Sequence, residues 1–322
     1  MANQLSNSRQ GQSANLSSTS KLKYVHPLFQ IIVLVFIFLL ESTVLHAGDS
    51  KSEQGNWFFD KKPEKKLKKN PDNKLVSLRK HEHFGKTRYY ASNRLGGEVE
   101  LFIDFLRRDN VSNTLDLPSS VILPPLSETL VMEIKPTRRF SSMSYKLSYT
   151  YFPGKPNAKI RELQYYQLPF PKSERYIVSQ GFNGRFSHFS DYTRYAVDIA
   201  MPEGAAIHSA SDGVVMSIDE DFNNGGARRS LVDKANVLRI IHSDGSMAIY
   251  AHLQTDSVAV KIGQRIKRGQ FIARAGSTGF STGPHLHFAI EKNIGMKLIS
   301  IPFKFKAEGK WVTPETGDLL IH

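Results

Sequence analysis

The sequence predicts an all-β protein: an N-terminal antiparallel β-sandwich followed by a second compact, β-rich domain. Two observations lead there. Short runs alternate apolar and polar residues with a period of two, and clusters of turn formers separate them. No 3.6-residue apolar period runs long enough in residues 74–151 to predict a helix. The 322 residues suffice for two domains with cores of their own. With 40% hydrophobic and 23% charged residues, the composition is that of a globular chain, not a disordered one.

Residues 1–47 read as a signal peptide or membrane anchor. Lys21 and Lys23 precede Leu28–Leu40, 13 residues interrupted only by Gln30. That is the length of a signal-peptide core and short of the roughly 20 residues a membrane span prefers. Ala47 offers a small residue for cleavage, and the long polar start leaves an uncleaved anchor open. Either reading places the rest of the chain outside the cytoplasm, in the periplasm or cell envelope. Residues 48–73 follow as a linker, with six lysines among the nine positions 61–69, which repel one another and stay solvated.

Residues 74–158 are the expected sandwich. In Glu98–Phe105, Val99, Leu101, Ile103 and Phe105 share one face; Thr129–Ile134 and Tyr145–Tyr151 alternate likewise. Gly96-Gly97, Pro118 and Pro124-Pro125 punctuate them. His81-Glu82-His83 lacks a third ligand nearby and reads as surface. The second domain spans residues 172–295. Gly213–Ile218 is a strand, and Val237–His242 and Met247–His252 flank Asp244-Gly245, the mark of a tight hairpin. Gly263 and Gly269 sit at two corners. Residues 296–322 form a tail that packs back on this domain.

There is no cysteine, so disulfides, iron–sulfur clusters and thiolate metal sites are excluded, and any metal must be held by His, Asp or Glu. The net charge of +13 favours anionic polymers outside the cell. Nucleic acid is not expected as a partner, because export removes the chain from it and no recognition module is present.

The chemistry gathers in the second domain. In Gly283-Pro284-His285-Leu286-His287-Phe288-Ala289-Ile290, strand alternation turns His285 and His287 to one face and Leu286, Phe288 and Ile290 to the other. Asp198 lies between Val197 and Ile199 in an apolar strand, where an ionised carboxylate needs a strong partner. His252 ends the strand Ile249–His252 and is expected on the face of Tyr250, while His188 precedes Asp198 by ten residues. A hydrolytic zinc needs three N/O ligands, an open position and flanking acid–base groups. Histidines and an aspartate at strand ends suit that need.

These segments, with Pro202-Glu203-Gly204, Ala210–Val215, Tyr250–Leu253 and Gly276–Phe288, resemble the lysostaphin/LytM-type M23 metallopeptidases over residues 174–292. The resemblance implies one Zn2+ per chain, with Asp198 and His287 as ligands and His252 and His285 as catalytic histidines. The first ligand departs from the commoner pattern, a His four residues before the Asp, because Arg194 stands there. The chain is similar to a subgroup with Ser-His upstream of Tyr-Ala-x-Asp, which makes His188 the ligand; His208 and His242 are the competitors.

The implied activity is a zinc metalloendopeptidase that hydrolyses peptide crosslinks in the stem peptides of bacterial peptidoglycan. One of His252 and His285 would take a proton from the metal-activated water, and the other would stabilise the oxyanion. The alternative is a LytM-type regulator that binds and activates other wall hydrolases, which would gain if His188 could not reach the metal. A phosphocarrier using paired histidines conflicts with export.

Overall fold

The computed structural model describes residues 75–138, 140–158 and 164–322. The expected leader and linker lie outside them. Strands dominate, and the one helical element among the described residues is a 3₁₀ turn at Arg229–Leu231. The all-β class therefore holds. Among the described residues no helix is long and apolar enough to cross a membrane.

The N-terminal strands form two antiparallel sheets. One orders Val76–His83, Lys86–Asn93, Ser127–Pro136 and Val111–Asn113; the other orders Ser119–Leu123, Val99–Asp109 and Ser144–Pro153. Alternation decides the interior. Ala91, Met132 and Ile134 of the first sheet meet Leu101, Ile103 and Leu123 of the second in one buried cluster. His81 and His83 stay exposed on the first strand.

The second region is built on a nine-stranded antiparallel sheet. Its centre runs through Gly213–Asp219, Val237–Ile241, Met247–Ala251, His285–Asn293, Ala196–Ala200 and Arg175–Gln180. The hairpin at Asp244-Gly245 forms as expected: Gly245 has φ +87°, and Asp244 Oδ1 accepts from the Ser246 amide at 3.0 Å. One face of this sheet is the main core, where Leu238, Ile240, Tyr250, Leu286 and Phe288 are wholly buried.

Residues 296–322 do more than pack back. Leu298–Ser300 pairs with His285–Asn293, Leu319–Ile321 pairs with Arg175–Gln180, and Phe303–Ala307 pairs in parallel with Gln164–Gln167. Phe303 and Phe305 are fully buried against Phe288, so this segment supplies part of the core itself.

The sandwich attaches at one end of the large sheet. Met216 and Met247 join its buried cluster, and Asn293 Nδ2 donates to Glu100 Oε2 at 2.9 Å and to the Gly154 carbonyl at 3.0 Å. Asn293 lies six residues along its strand from His287, or about 20 Å at the usual rise. Gly96 fits where no side chain can: a Cβ there would fall 2.1 Å from the Val215 carbonyl oxygen. Gly96→Ala should therefore cost about 1–3 kcal/mol of stability through overpacking. Denaturant unfolding checks it; an unchanged midpoint would refute this account of the junction.

Candidate metal centre

Register assembles the site. Val197 and Ile199 are wholly buried in the core, so alternation sends Asp198 to the opposite face of the sheet. Pairing then places Asp198 opposite His287 on one side and Gln180 on the other, with His285 opposite Ala200. Asp198, His285 and His287 thus share a face by backbone hydrogen bonding alone.

His252 corrects the sequence reading. Continued alternation would carry it to the face of Tyr250, which is core. The regular strand stops at Ala251, and His252 takes φ +61°, a left-handed turn that swings its ring to the other side. There its ring centre is 4.6 Å from that of His285 and 5.9 Å from that of His287.

His188 arrives on a loop closed by the Asn183 amide donating to the Arg194 carbonyl at 2.8 Å. Inside it the His188 amide donates to the Gly184 carbonyl, and Thr193 Oγ1 donates to the Ser187 carbonyl at 2.8 Å. The ring is fully buried, and its Nδ1 donates to the Gly181 carbonyl at 2.9 Å. The other ring nitrogen, Nε2, faces Asp198 Oδ1 at 3.3 Å and makes no hydrogen bond. Arg194, in the commoner ligand position, turns away to Asp191 at 3.2 Å.

One donor atom each from His188, Asp198 and His287 lies within 4.8 Å of the others. His287 Nδ1 is 2.8 Å from Asp198 Oδ1. Two imidazoles, one carboxylate and a buried nitrogen without a partner fit a metal ion. The competitors stay apart: His208 stacks edge-on with Phe271, and His242 Nδ1 donates to the Asp212 carbonyl at 2.7 Å beside Tyr166.

Burial alone would raise the Asp198 carboxyl, but the His188 and His287 rings beside it hold it well below the usual carboxylate range. His252 is pushed down to about 3, by burial first and then by the neighbouring histidines. Burial also lowers His285. Both rings are therefore neutral at pH 7. Each donates its Nδ1 proton to a backbone carbonyl, His252 to Thr278 at 2.7 Å and His285 to Gly283 at 2.8 Å. Their Nε2 atoms are thus left as proton acceptors.

Beside them opens a cleft of about 530 Å³, lined by Asn223, Gln254, Ser277, Thr278, Ser281 and Thr282 among others. Exposed Phe186 from the His188 loop stacks on Phe280, with ring centres 5.9 Å apart and planes 14° from parallel.

Residues 192–297 match Peptidase family M23. This segment is an M23 domain. The M23 domain is similar to an uncharacterized metalloprotease of Buchnera aphidicola, 33% identical over 126 residues, which are 38% of this chain and 30% of that protein. It is also similar to the peptidoglycan DD-endopeptidase ShyB of Vibrio cholerae, 37% identical over 132 residues, 40% of this chain and 28% of that one. Each match spans less than a third of the relative's length. The solved catalytic domain of lysostaphin from Staphylococcus simulans aligns at 29% identity over 37% of this chain and 80% of its own, with a TM-score of 0.28. The family match begins four residues after His188, so the place of that ring in the M23 domain is seen only in the geometry.

Sequence reading missed Gln180. Its Nε2 donates to Asp198 Oδ2 at 3.0 Å and to Ser187 Oγ at 2.7 Å, and its Oε1 accepts from the Phe186 amide at 3.2 Å. One amide thus ties the carboxylate to the loop that carries His188. A glutamine at a strand end has no chemical signature, and its pairing with Asp198 is visible only in the sheet. Outer partners of this kind are commonly worth 10–100-fold in metal affinity. Gln180→Ala should weaken metal binding by that factor in a chelator competition; wild-type affinity in the variant would show that Asp198 needs no such support.

Proposed function

We propose that this chain is an exported zinc-dependent endopeptidase that hydrolyses peptide crosslinks of bacterial peptidoglycan. The observation that carries the reading is the His188–Asp198–His287 cluster, with the orphaned Nε2 of His188 pointing into it and two neutral histidines beside it. His188, Asp198 and His287 would hold the ion. Zinc suits a set of two nitrogens and one carboxylate oxygen in a chain without thiolates. When bound, such an ion lowers the pKa of a coordinated water and polarises the scissile carbonyl.

His252 and His285 do the rest. Each presents an unprotonated Nε2, so either can take a proton, and neither can donate until it has taken one. The oxyanion-stabilising role therefore belongs to whichever ring carries the proton at that moment. The cleft holds the peptide across this pair. Neutral, acceptor-only histidines at this spacing support catalysis over the regulator reading, as does the reach of His188 to Asp198.

The substrate follows from the likeness to a peptidoglycan DD-endopeptidase and from the basic charge: D-Ala–diaminopimelate crosslinks in an envelope of the Gram-negative kind. Export rests on the apolar run 28–40, cleaved or retained as an anchor. Residues 74–158 and 172–295 are the two domains of this reading, the segment 296–322 being built into the second.

The mature protein should hold about one zinc and cleave crosslinked stem-peptide dimers, and a chelator should stop it. His188→Ala should lose the metal. His285→Ala should keep the metal and lose 10²- to 10⁴-fold in turnover. A wild-type protein that binds no zinc, or that cuts only oligoglycine bridges, would defeat the activity or the substrate assignment respectively.

A further inference from the structure

The three-stranded sheet of Gln164–Gln167, Phe303–Ala307 and Lys310–Val312 has two unlike faces. Inward, Tyr166, Phe303 and Phe305 are buried against Phe288. Outward, register sets Tyr165 beside Lys304, and Lys306 between Gln167 and Trp311. Tyr165 remains 47% exposed and Trp311 43%. Their ring centres are 4.8 Å apart at 64°, and the Lys306 ammonium lies 6.0 Å from the Trp311 ring centre. Trp311 is one of two tryptophans in the sequence.

A single exposed aromatic residue needs no explanation. Two in contact on an open sheet face, flanked by lysines and with no acid at any paired position, have the makings of a ligand surface. An aromatic face is electron-rich and attracts polarised C–H groups, which the flat side of a pyranose ring presents. The ammonium groups and the Gln167 amide match the carboxylates and hydroxyls at the edge of such a ring. A carboxylated sugar chain satisfies both halves of the surface at once.

The surface lies across the sheet from the metal cluster. His285 and His287 occupy one face of their strand, while Phe288 on the other packs against Phe303 and Phe305. We propose that Tyr165, Gln167, Lys304, Lys306 and Trp311 form an accessory site for peptide-free stretches of the wall polymer's glycan strands, where the lactyl carboxylates are no longer tied up in amides to stem peptides, on the back of the M23 domain relative to the cleft. The choice of this polymer rests on the endopeptidase reading. Binding there holds the enzyme on the polymer between cuts and raises the local concentration of crosslinks at the cleft.

The test uses the mature protein with its metal chelated, so that nothing is cut, and peptide-free glycan strands as the probe. Wild type should bind them. Trp311→Ala and Lys306→Glu should each weaken binding at least tenfold, while hydrolysis of a soluble crosslinked dimer by the metal-loaded variants stays at the wild-type rate. Lys306 is exposed, so Lys306→Glu keeps its melting temperature and guards against a folding artefact. Equal binding by wild type and variants overturns the proposal, as does absence of wild-type binding. So does binding confined to phosphatidylglycerol vesicles and lost in the same variants, which would make the face a membrane contact. Failure of the endopeptidase reading shows separately, as an uncut soluble dimer with metal restored.

Discussion

The site depends on one carboxylate held where a carboxylate is costly. Asp198 is flanked by two fully buried core residues and is itself 9% exposed. An unpaired charge at such a depth would neutralise instead. Here it keeps its charge because two side chains donate to it, His287 at Oδ1 and Gln180 at Oδ2, while His188 Nε2 faces Oδ1 without a hydrogen bond. Each comes from a different segment, so the local order of the site and that carboxylate's ionisation are one condition. The same convergence leaves a buried nitrogen without a partner at His188, which a cation satisfies more fully than any group of the chain. In the proposed reading, that unpartnered nitrogen is what the metal would satisfy.

The sequence made part of this legible and for a definite reason. Alternation is local, so His285 and His287 on one face, and Asp198 opposite to its apolar neighbours, could be read from a few residues. The sandwich strands were readable on the same ground, although Ser127–Pro136 and Ser144–Pro153 extend beyond the alternating runs at both ends. His252 escaped because one left-handed residue breaks the period at the strand end, and nothing in Tyr-Ala-His announces a positive φ. His188 was reached through resemblance, since its loop places the ring by hydrogen bonds to Gly181, Gly184 and Thr193 that no spacing encodes. The closing segment escaped for another reason. Its strands are three to five residues long, too short for a period, and their partners lie up to 146 positions away.

One strand face also explains how the N-terminal domain and the site belong to a single framework. From His285 and His287 the same face of that strand continues through Ala289 and Glu291 to Asn293. Glu291 is buried and meets Arg239 at 3.3 Å; Arg239 in turn donates to Tyr192 at 3.2 Å. Burial pushes the Glu291 carboxyl up and the Arg239 charge opposes it, while that carboxylate raises Arg239 despite its burial. Breaking such a pair from one side commonly costs about 3–5 kcal/mol, because the other charge stays buried. Tyr192 belongs to the loop that carries His188. The ion pair therefore braces the loop that carries His188 against the middle of the sheet, and two residues further along Asn293 receives the sandwich through Glu100. A cluster of donors at one end, a buried charge pair in the middle and a domain contact at the other end all hang from the alternate residues of one nine-residue strand. That arrangement ties the accuracy of the site to the integrity of the whole sheet, because a one-residue slip of this strand would turn every one of those groups into the core.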